Sequence, residues 1–137
     1  YLQEQATQPQ TIGYSLADSL TGLLAWIYEK LLDWTDEYPR GDDEVLTWVS
    51  IYFSFRTGPT ASLRICYETR QEDAKPTPKV KPSTIPMGAS HLAKETQRTP
   101  KTLLIDNLMF VSEHAHGGHF AAHEKPSELA DDLRRFF

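Results

Sequence analysis

Two glycines and a histidine form the stretch of this chain with the clearest chemical potential. Gly117 and Gly118 directly precede His119, and glycine allows unusual torsion angles and close backbone approach. A histidine held on such a turn can act as a general base, because imidazole titrates near the operating pH of most enzymes. The spacing alone supports a solvated loop histidine equally well.

The surrounding sequence predicts which elements position His119. The apolar run 107–111 before it is typical of a buried strand, and Pro126 after it suits the first position of a helix. Three apolar residues then recur at helical spacing: Leu129, Leu133 and Phe136. His119 is therefore predicted to lie in a loop between a strand end and a helix, where open α/β sheets collect ligands.

A second pattern resembles the turn that carries a serine nucleophile. Gly13–Ala17 matches G-x-S-x-G/A, with Ser15 at the nucleophile position. Such an elbow needs a central strand before it, and Pro9 is a poor residue for one. We therefore expect a turn here, with Ser15, Asp18 or Ser19 capping the next helix. The polar residues 1–12 are expected to form a connecting segment.

Two apolar stripes at helical spacing predict amphipathic helices in the first half of the chain. The members of the first are Leu20, Leu23, Leu24, Ile27 and Leu31. The second covers residues 45–53 and follows three acidic residues, 42–44, which favour a helix start. Gly58–Thr60 then breaks and restarts the chain, with Thr60 as a predicted N-cap.

Composition limits the class of protein. The 137 residues fit one domain with a moderate core, and the net charge of -5 without a basic block argues against a nucleic-acid partner. A single cysteine, Cys66, permits no internal disulfide, so a reducing, cytoplasmic location is favoured. The apolar run Leu20–Leu32 is too short to span a bilayer. Because the chain starts without Met, we expect a fragment or a processed chain.

One motif is much more specific than these patterns. His116–Pro126 resembles the GGHFAAxExP segment of microsomal-type epoxide hydrolases, a branch of the α/β-hydrolase fold. The resemblance implies that His119 activates the hydrolytic water. It also implies an α/β chain with part of that fold: a helical cap-like segment over residues 1–74, followed over residues 75–137 by the last strands and helix of the core.

Three further stretches resemble the same family. Leu20–Ile27 is similar to its S-P-x-G-L-x-A-W-I segment. Pro86–Glu95 is similar to P-x-G-x-S-x-F-P-K-E/D, which implies that Glu95 orients His119 and that Val80–Ile85 is the preceding strand.

The third similar stretch is the R-x-Y-x-E end of the family's cap, whose tyrosine polarises the epoxide oxygen. Aligning Arg64 and Glu68 places Cys66 at the expected tyrosine, with Tyr67 as its substitute after a slip of one residue.

The resemblance implies hydrolysis of a small-molecule epoxide to a vicinal diol, through an ester on an aspartate, without a cofactor or a metal. The chain contains no G-x-D-x-G elbow, so we expect it to be inactive alone and to need an upstream half; a homo-oligomer is another possible partner. Other interpretations are a non-catalytic interaction remnant, a serine hydrolase using Ser15, and a zinc or copper module. The last would use a histidine cluster: His114, His116, His119 and His123.

Overall fold

The computed structural model describes residues 1–74, 84–96 and 107–137 of the chain. Within these ranges none of the helices is both long and apolar enough to cross a membrane. The elements are α1 (Leu2–Thr7), α2 (Pro9–Asp18), α3 (Leu20–Asp33), α4 (Asp42–Ser54), α5 (Gly58–Asp73), β1 (Met87–His91), β2 (Leu108–Glu113), α6 (Ala121–Glu124) and α7 (Pro126–Phe136).

The chain divides into two compact units. The first comprises Tyr1–Lys30 and Arg40–Lys79, and the second comprises Leu31–Pro39 and Val80–Phe137. In the first unit, α1 and α2 both pack against α5. Leu23 of α3 and Leu63 of α5 are its most completely buried large side chains, so the unit has an apolar helical core.

The first 18 residues are helical, and the prediction of a connecting segment followed by a turn was wrong. Pro9 begins α2, where its missing N–H leaves no helical bond unmade. A Cβ on Gly13 would come within 2.5 Å of Thr60 Cγ2 in α5. Gly13 therefore permits close helix packing, while Ser15 is exposed within a continuous helix and does not lie on a strand-to-helix elbow.

The two predicted amphipathic helices are confirmed as α3 and α4. Their bounds follow the stripes closely, although Leu20 at the start of α3 is 54% exposed. Ser19 rather than Ser15 caps α3, since its hydroxyl accepts a hydrogen bond from the Gly22 N–H at 3.0 Å. The prediction for Thr60 was wrong, because α5 starts at Gly58 and the Thr60 hydroxyl donates to the Gly13 carbonyl instead.

The described part of the second unit contains a parallel pair of strands. Opposite residues include Ala89 with Val111 and Ser90 with Ser112. Strand β2 confirms that the apolar run forms a strand, which begins at Leu108 and extends to Glu113. The prediction that this strand is buried was wrong, since Met109 is 73% exposed. Of the predicted strand Val80–Ile85, residues 80–83 lie outside the described residues and the other two are not in a strand; β1 begins at Met87.

Helix α7 begins at Pro126 as predicted, but the residue that it buries is an acid, while Leu129 and Phe136 are only partly buried. Leu133 is 52% exposed, whereas Asp132 is buried against the two strands. One oxygen of Asp132 accepts hydrogen bonds from Ser112, from Ser90 at 2.6 Å and from His114 Nε2 at 2.6 Å. The carboxylate thus attaches the last helix to both strands.

This network predicts a specific loss of stability in acid. Burial alone would raise the pKa of Asp132, but the hydrogen bonds from Ser112, Ser90 and His114 outweigh it and lower the pKa from 3.8 to about 2. The stabilisation is complete above the ordinary pKa and disappears as pH falls through the folded value. Between pH 5 and pH 2, the free energy of unfolding of the natural chain should therefore fall by about 2 kcal/mol more than that of the Asp132→Asn variant. Denaturant titrations at pH 5, 3 and 2 measure the difference.

Asp131→Asn is the matched control, because Asp131 lies on the exposed side of α7 and pairs with Arg134. It should keep the acid dependence of the natural chain. Equal acid dependence in natural chain and Asp132→Asn would contradict the role given to Asp132.

Candidate active site

The ends of the two strands place two loops at the same edge of the sheet. The loop after β1 leads from His91 to Glu95, and the loop after β2 leads to His119. Because the strands are parallel, both loops leave from their carboxyl ends. The backbone N–H of Lys94 donates to the Gly117 carbonyl at 2.9 Å, which joins the loops directly.

The structure brings together Glu95 and His119, the two residues that the family resemblance paired. His119 Nδ1 lies 2.8 Å from Glu95 Oε1. The Thr96 hydroxyl lies near both groups, 3.1 Å from the same carboxylate oxygen and 3.3 Å from Nδ1. The side chain of His119 is 41% exposed and that of Glu95 is 23% exposed. With Nδ1–H donating to the carboxylate, Nε2 is the ring nitrogen that can accept a proton.

Aromatic rings and backbone contacts fix the His119 ring within its loop. Trp34 and Phe120 both make edge-on contacts with the imidazole, at centroid distances of 5.2 and 5.3 Å. The backbone N–H of His119 donates to the backbone carbonyl of Trp34 at 2.7 Å. A Cβ on Gly118 would lie 2.3 Å from that carbonyl oxygen, and Gly117 has φ of +96°. Both glycines are therefore required for the course of this loop.

The four histidines of the predicted cluster have different partners. His114 contacts Asp132, His116 lies 3.6 Å from Asp36, His119 pairs with Glu95, and His123 packs against the Tyr38 ring. Among the described residues, no group of three or more histidine, cysteine, aspartate or glutamate side chains could hold a metal ion. The geometry supports an imidazole–carboxylate pair.

The two residues considered for the cap position lie on α5 in the first unit. Cys66 is partly buried, and its thiol lies 3.6 Å from Gln5 Oε1. Tyr67 is 40% exposed. The role of Tyr67 as a hydroxyl donor stays a prediction.

Sequence reasoning missed two acidic residues that contact the His119 loop. Asp36 and Glu124 accept hydrogen bonds from backbone N–H groups of residues 117–120. Glu124 stands in the motif that includes His119, and its place there was the available signal. Asp36 had none, since it is 83 residues from His119 and lies in a charged loop sequence.

Comparisons with known proteins give one consistent family. The chain is 38% identical over 145 residues to a candidate epoxide hydrolase of Stigmatella aurantiaca, matching all of this chain and 32% of that protein. It is 32% identical to epoxide hydrolase 1 of Sus scrofa, over 99% of this chain and 33% of the relative. The chain thus spans about a third of the length of these relatives. No family model matches it.

Solved structures agree with these relatives. The structure of the Aspergillus niger epoxide hydrolase aligns with 99% of this chain, at a TM-score of 0.79 and 38% identity, and the alignment covers 34% of that protein. The juvenile hormone epoxide hydrolase of Bombyx mori aligns at a TM-score of 0.84 with 27% identity, over 99% of this chain and 38% of that protein.

Proposed function

Since this chain belongs to the epoxide hydrolase family and has part of its α/β-hydrolase fold, we propose that it supplies the water-activating half of epoxide hydrolysis. In this proposal His119 is the general base and Glu95 is the carboxylate that orients it. The 2.8 Å contact between His119 Nδ1 and Glu95 Oε1 is the observation that carries the proposal.

The chemistry follows from the hydrogen bond. Glu95 accepts the Nδ1 proton of His119, so Nε2 can remove a proton from a water molecule while that water attacks an ester carbonyl. The imidazolium that results is stabilised by the adjacent carboxylate. Cleavage of the ester releases the diol and returns the carboxylate that had been alkylated. The partial exposure of His119 leaves the ring accessible to such a water.

The proposal divides the reaction between this chain and other residues. The chain has no G-x-D-x-G elbow, so we assign the alkylated aspartate to a polypeptide outside these 137 residues. Residues 1–74 are proposed to act as the cap-like segment, with Tyr67 as a hydroxyl donor to the opening epoxide. We further propose that the substrate is a small-molecule epoxide. We also propose that the protein is located in the cytoplasm.

Ser15 does not favour a second function. It lies on the exposed face of α2, and a continuous helix lacks the strand-to-helix turn that exposes a nucleophilic serine. We therefore do not propose a serine hydrolase.

A graft tests the proposed function. The 137 residues replace the matching third of the Aspergillus niger epoxide hydrolase, and diol formation from styrene oxide is followed by chromatography. We expect turnover at least tenfold above that of the same scaffold with its third removed, because the graft restores a base beside the scaffold's reacting groups. A graft that is folded, as shown by a cooperative unfolding transition, but produces no diol would contradict the proposal.

A further inference from the structure

The carboxylates of Asp36 and Glu124 accept hydrogen bonds from the backbone of the His119 loop. Glu124 is 8% exposed. Its Oε2 accepts from Gly118 N–H at 3.1 Å and from Asp36 N–H at 2.8 Å, and its Oε1 accepts from Phe120 N–H at 3.1 Å. A buried carboxylate needs such donors, because it has lost its hydration. One side chain thus joins the histidine loop to residue 36.

Asp36 makes the reciprocal connection. Its Oδ2 accepts from Gly117 N–H at 2.8 Å, and its Oδ1 pairs with Lys94 Nζ at 2.9 Å. The hydrogen bond from Lys94 and that from Gly117 hold the pKa of Asp36 below its ordinary value. Lys94 directly precedes Glu95, so Asp36 is joined to both loops of the candidate site. His116 Nδ1 also approaches Oδ2, at 3.6 Å.

Every backbone N–H from Gly117 to Phe120 therefore has an oxygen acceptor within the second unit. Asp36 accepts the first, Glu124 the second and fourth, and the Trp34 carbonyl the third. Four consecutive donors with fixed acceptors determine the position of the His119 backbone, and the absence of a Cβ on Gly118 lets the loop approach residue 34 closely.

We propose that Asp36 and Glu124, together a carboxylate clamp, are positioning residues. They hold the His119 loop so that Nδ1 stays within hydrogen-bonding distance of Glu95. The inference rests on the proposed function, since it gives the clamp a role in that reaction. Neither carboxylate is assigned contact with substrate. A displacement of about 1 Å at a reacting group lowers rates by as much as about 10²-fold, so anchoring both loops has a direct effect on catalysis.

Neutral isosteres weaken the clamp without changing its size. In Glu124→Gln one carboxylate oxygen becomes an NH2 group, which cannot accept from a backbone N–H, so either orientation of the amide leaves at least one donor unpaired. In Asp36→Asn the amide can keep the bond from Gly117 but loses the charge opposite Lys94. The matched controls are the exposed residues Glu128→Gln and Asp33→Asn.

The first readout needs no activity. In the 15N-labelled chain, imidazole nitrogen shifts report which nitrogen of His119 carries the proton, and the Nδ1 proton should be displaced downfield by Glu95. We expect both clamp variants to lose that downfield signal and to mix the two tautomers, while both controls keep the natural spectrum. Unchanged His119 signals in folded clamp variants would overturn the inference.

Hydrogen exchange in the natural chain provides a test that does not depend on the folding of a variant. The amides of Gly117, Gly118 and Phe120 should exchange at least tenfold more slowly than the exposed amides of the same chain. Exchange at the rate of exposed amides would overturn the clamp.

The second readout uses the graft. We expect kcat to fall about 10- to 100-fold in each clamp variant with KM changed less than about threefold. An inactive graft would count against the proposed function, whereas altered His119 signals in the chain would still support the clamp. A fall confined to KM would overturn the positioning role.

Discussion

Replacing His119 by alanine in the graft will stop diol release while leaving ester formation intact. The proposed base acts only on the second step, so alkylation of the scaffold's carboxylate continues and the ester accumulates. General bases contribute about 10²–10⁴-fold, and loss of ester hydrolysis should reach or exceed the upper part of this range. Mass spectrometry should find one substrate mass added per protein molecule, and rapid-quench measurements should give the rates of both steps.

His123→Ala is the matched control for this prediction. It removes an imidazole four residues away that packs against the Tyr38 ring, whereas the proposed base is the imidazole paired with Glu95, so turnover should change less than about threefold. Continued diol release by His119→Ala would remove His119 from the reaction. Failure of the His119→Ala protein to become alkylated would place the histidine in the first step instead.

The part of the site that could be predicted from sequence depends on short-range signals. Pro126 and the apolar run before the glycines indicated the strand–loop–helix order around His119, and the parallel strands then brought Glu95 beside it. The helices α3 and α4 were predictable because their apolar residues recur at helical spacing. Local pattern therefore predicted the elements on either side of His119, whereas Glu95 was selected by the family resemblance and its strand begins at Met87, after the predicted range Val80–Ile85.

The missed features depend on contacts between distant residues. Helices α1 and α2 are polar in sequence and are stabilised by packing on α5, with Gly13 against Thr60. The burial of Asp132 could not be read from α7, because its partners Ser90 and Ser112 are on two strands. Asp36 acts on Gly117 across 81 residues, and single-sequence patterns carry no information at that separation.

The 137-residue chain by itself will form no diol above the buffer rate. Water activation by His119 has no ester to act on when the chain provides no alkylated aspartate, so a water would have to open the ring in one step. General base catalysis contributes about 10²–10⁴-fold, whereas enzymes commonly reach about 10⁶-fold or more. Cys66 at the expected tyrosine position would weaken even this route, since a thiol is a weak donor.

The assay compares three samples under the same conditions with styrene oxide as substrate. These are the purified chain, the chain mixed with the scaffold lacking its matching third, and the covalent graft. We expect diol only where scaffold residues are present, with loss of activity in His119→Ala and an increase in Cys66→Tyr, because a phenol restores a donor to the developing alkoxide. Diol formation by the chain alone that disappears in His119→Ala would contradict the division of labour proposed here, and activity that disappears in Ser15→Ala would identify a serine-dependent reaction instead.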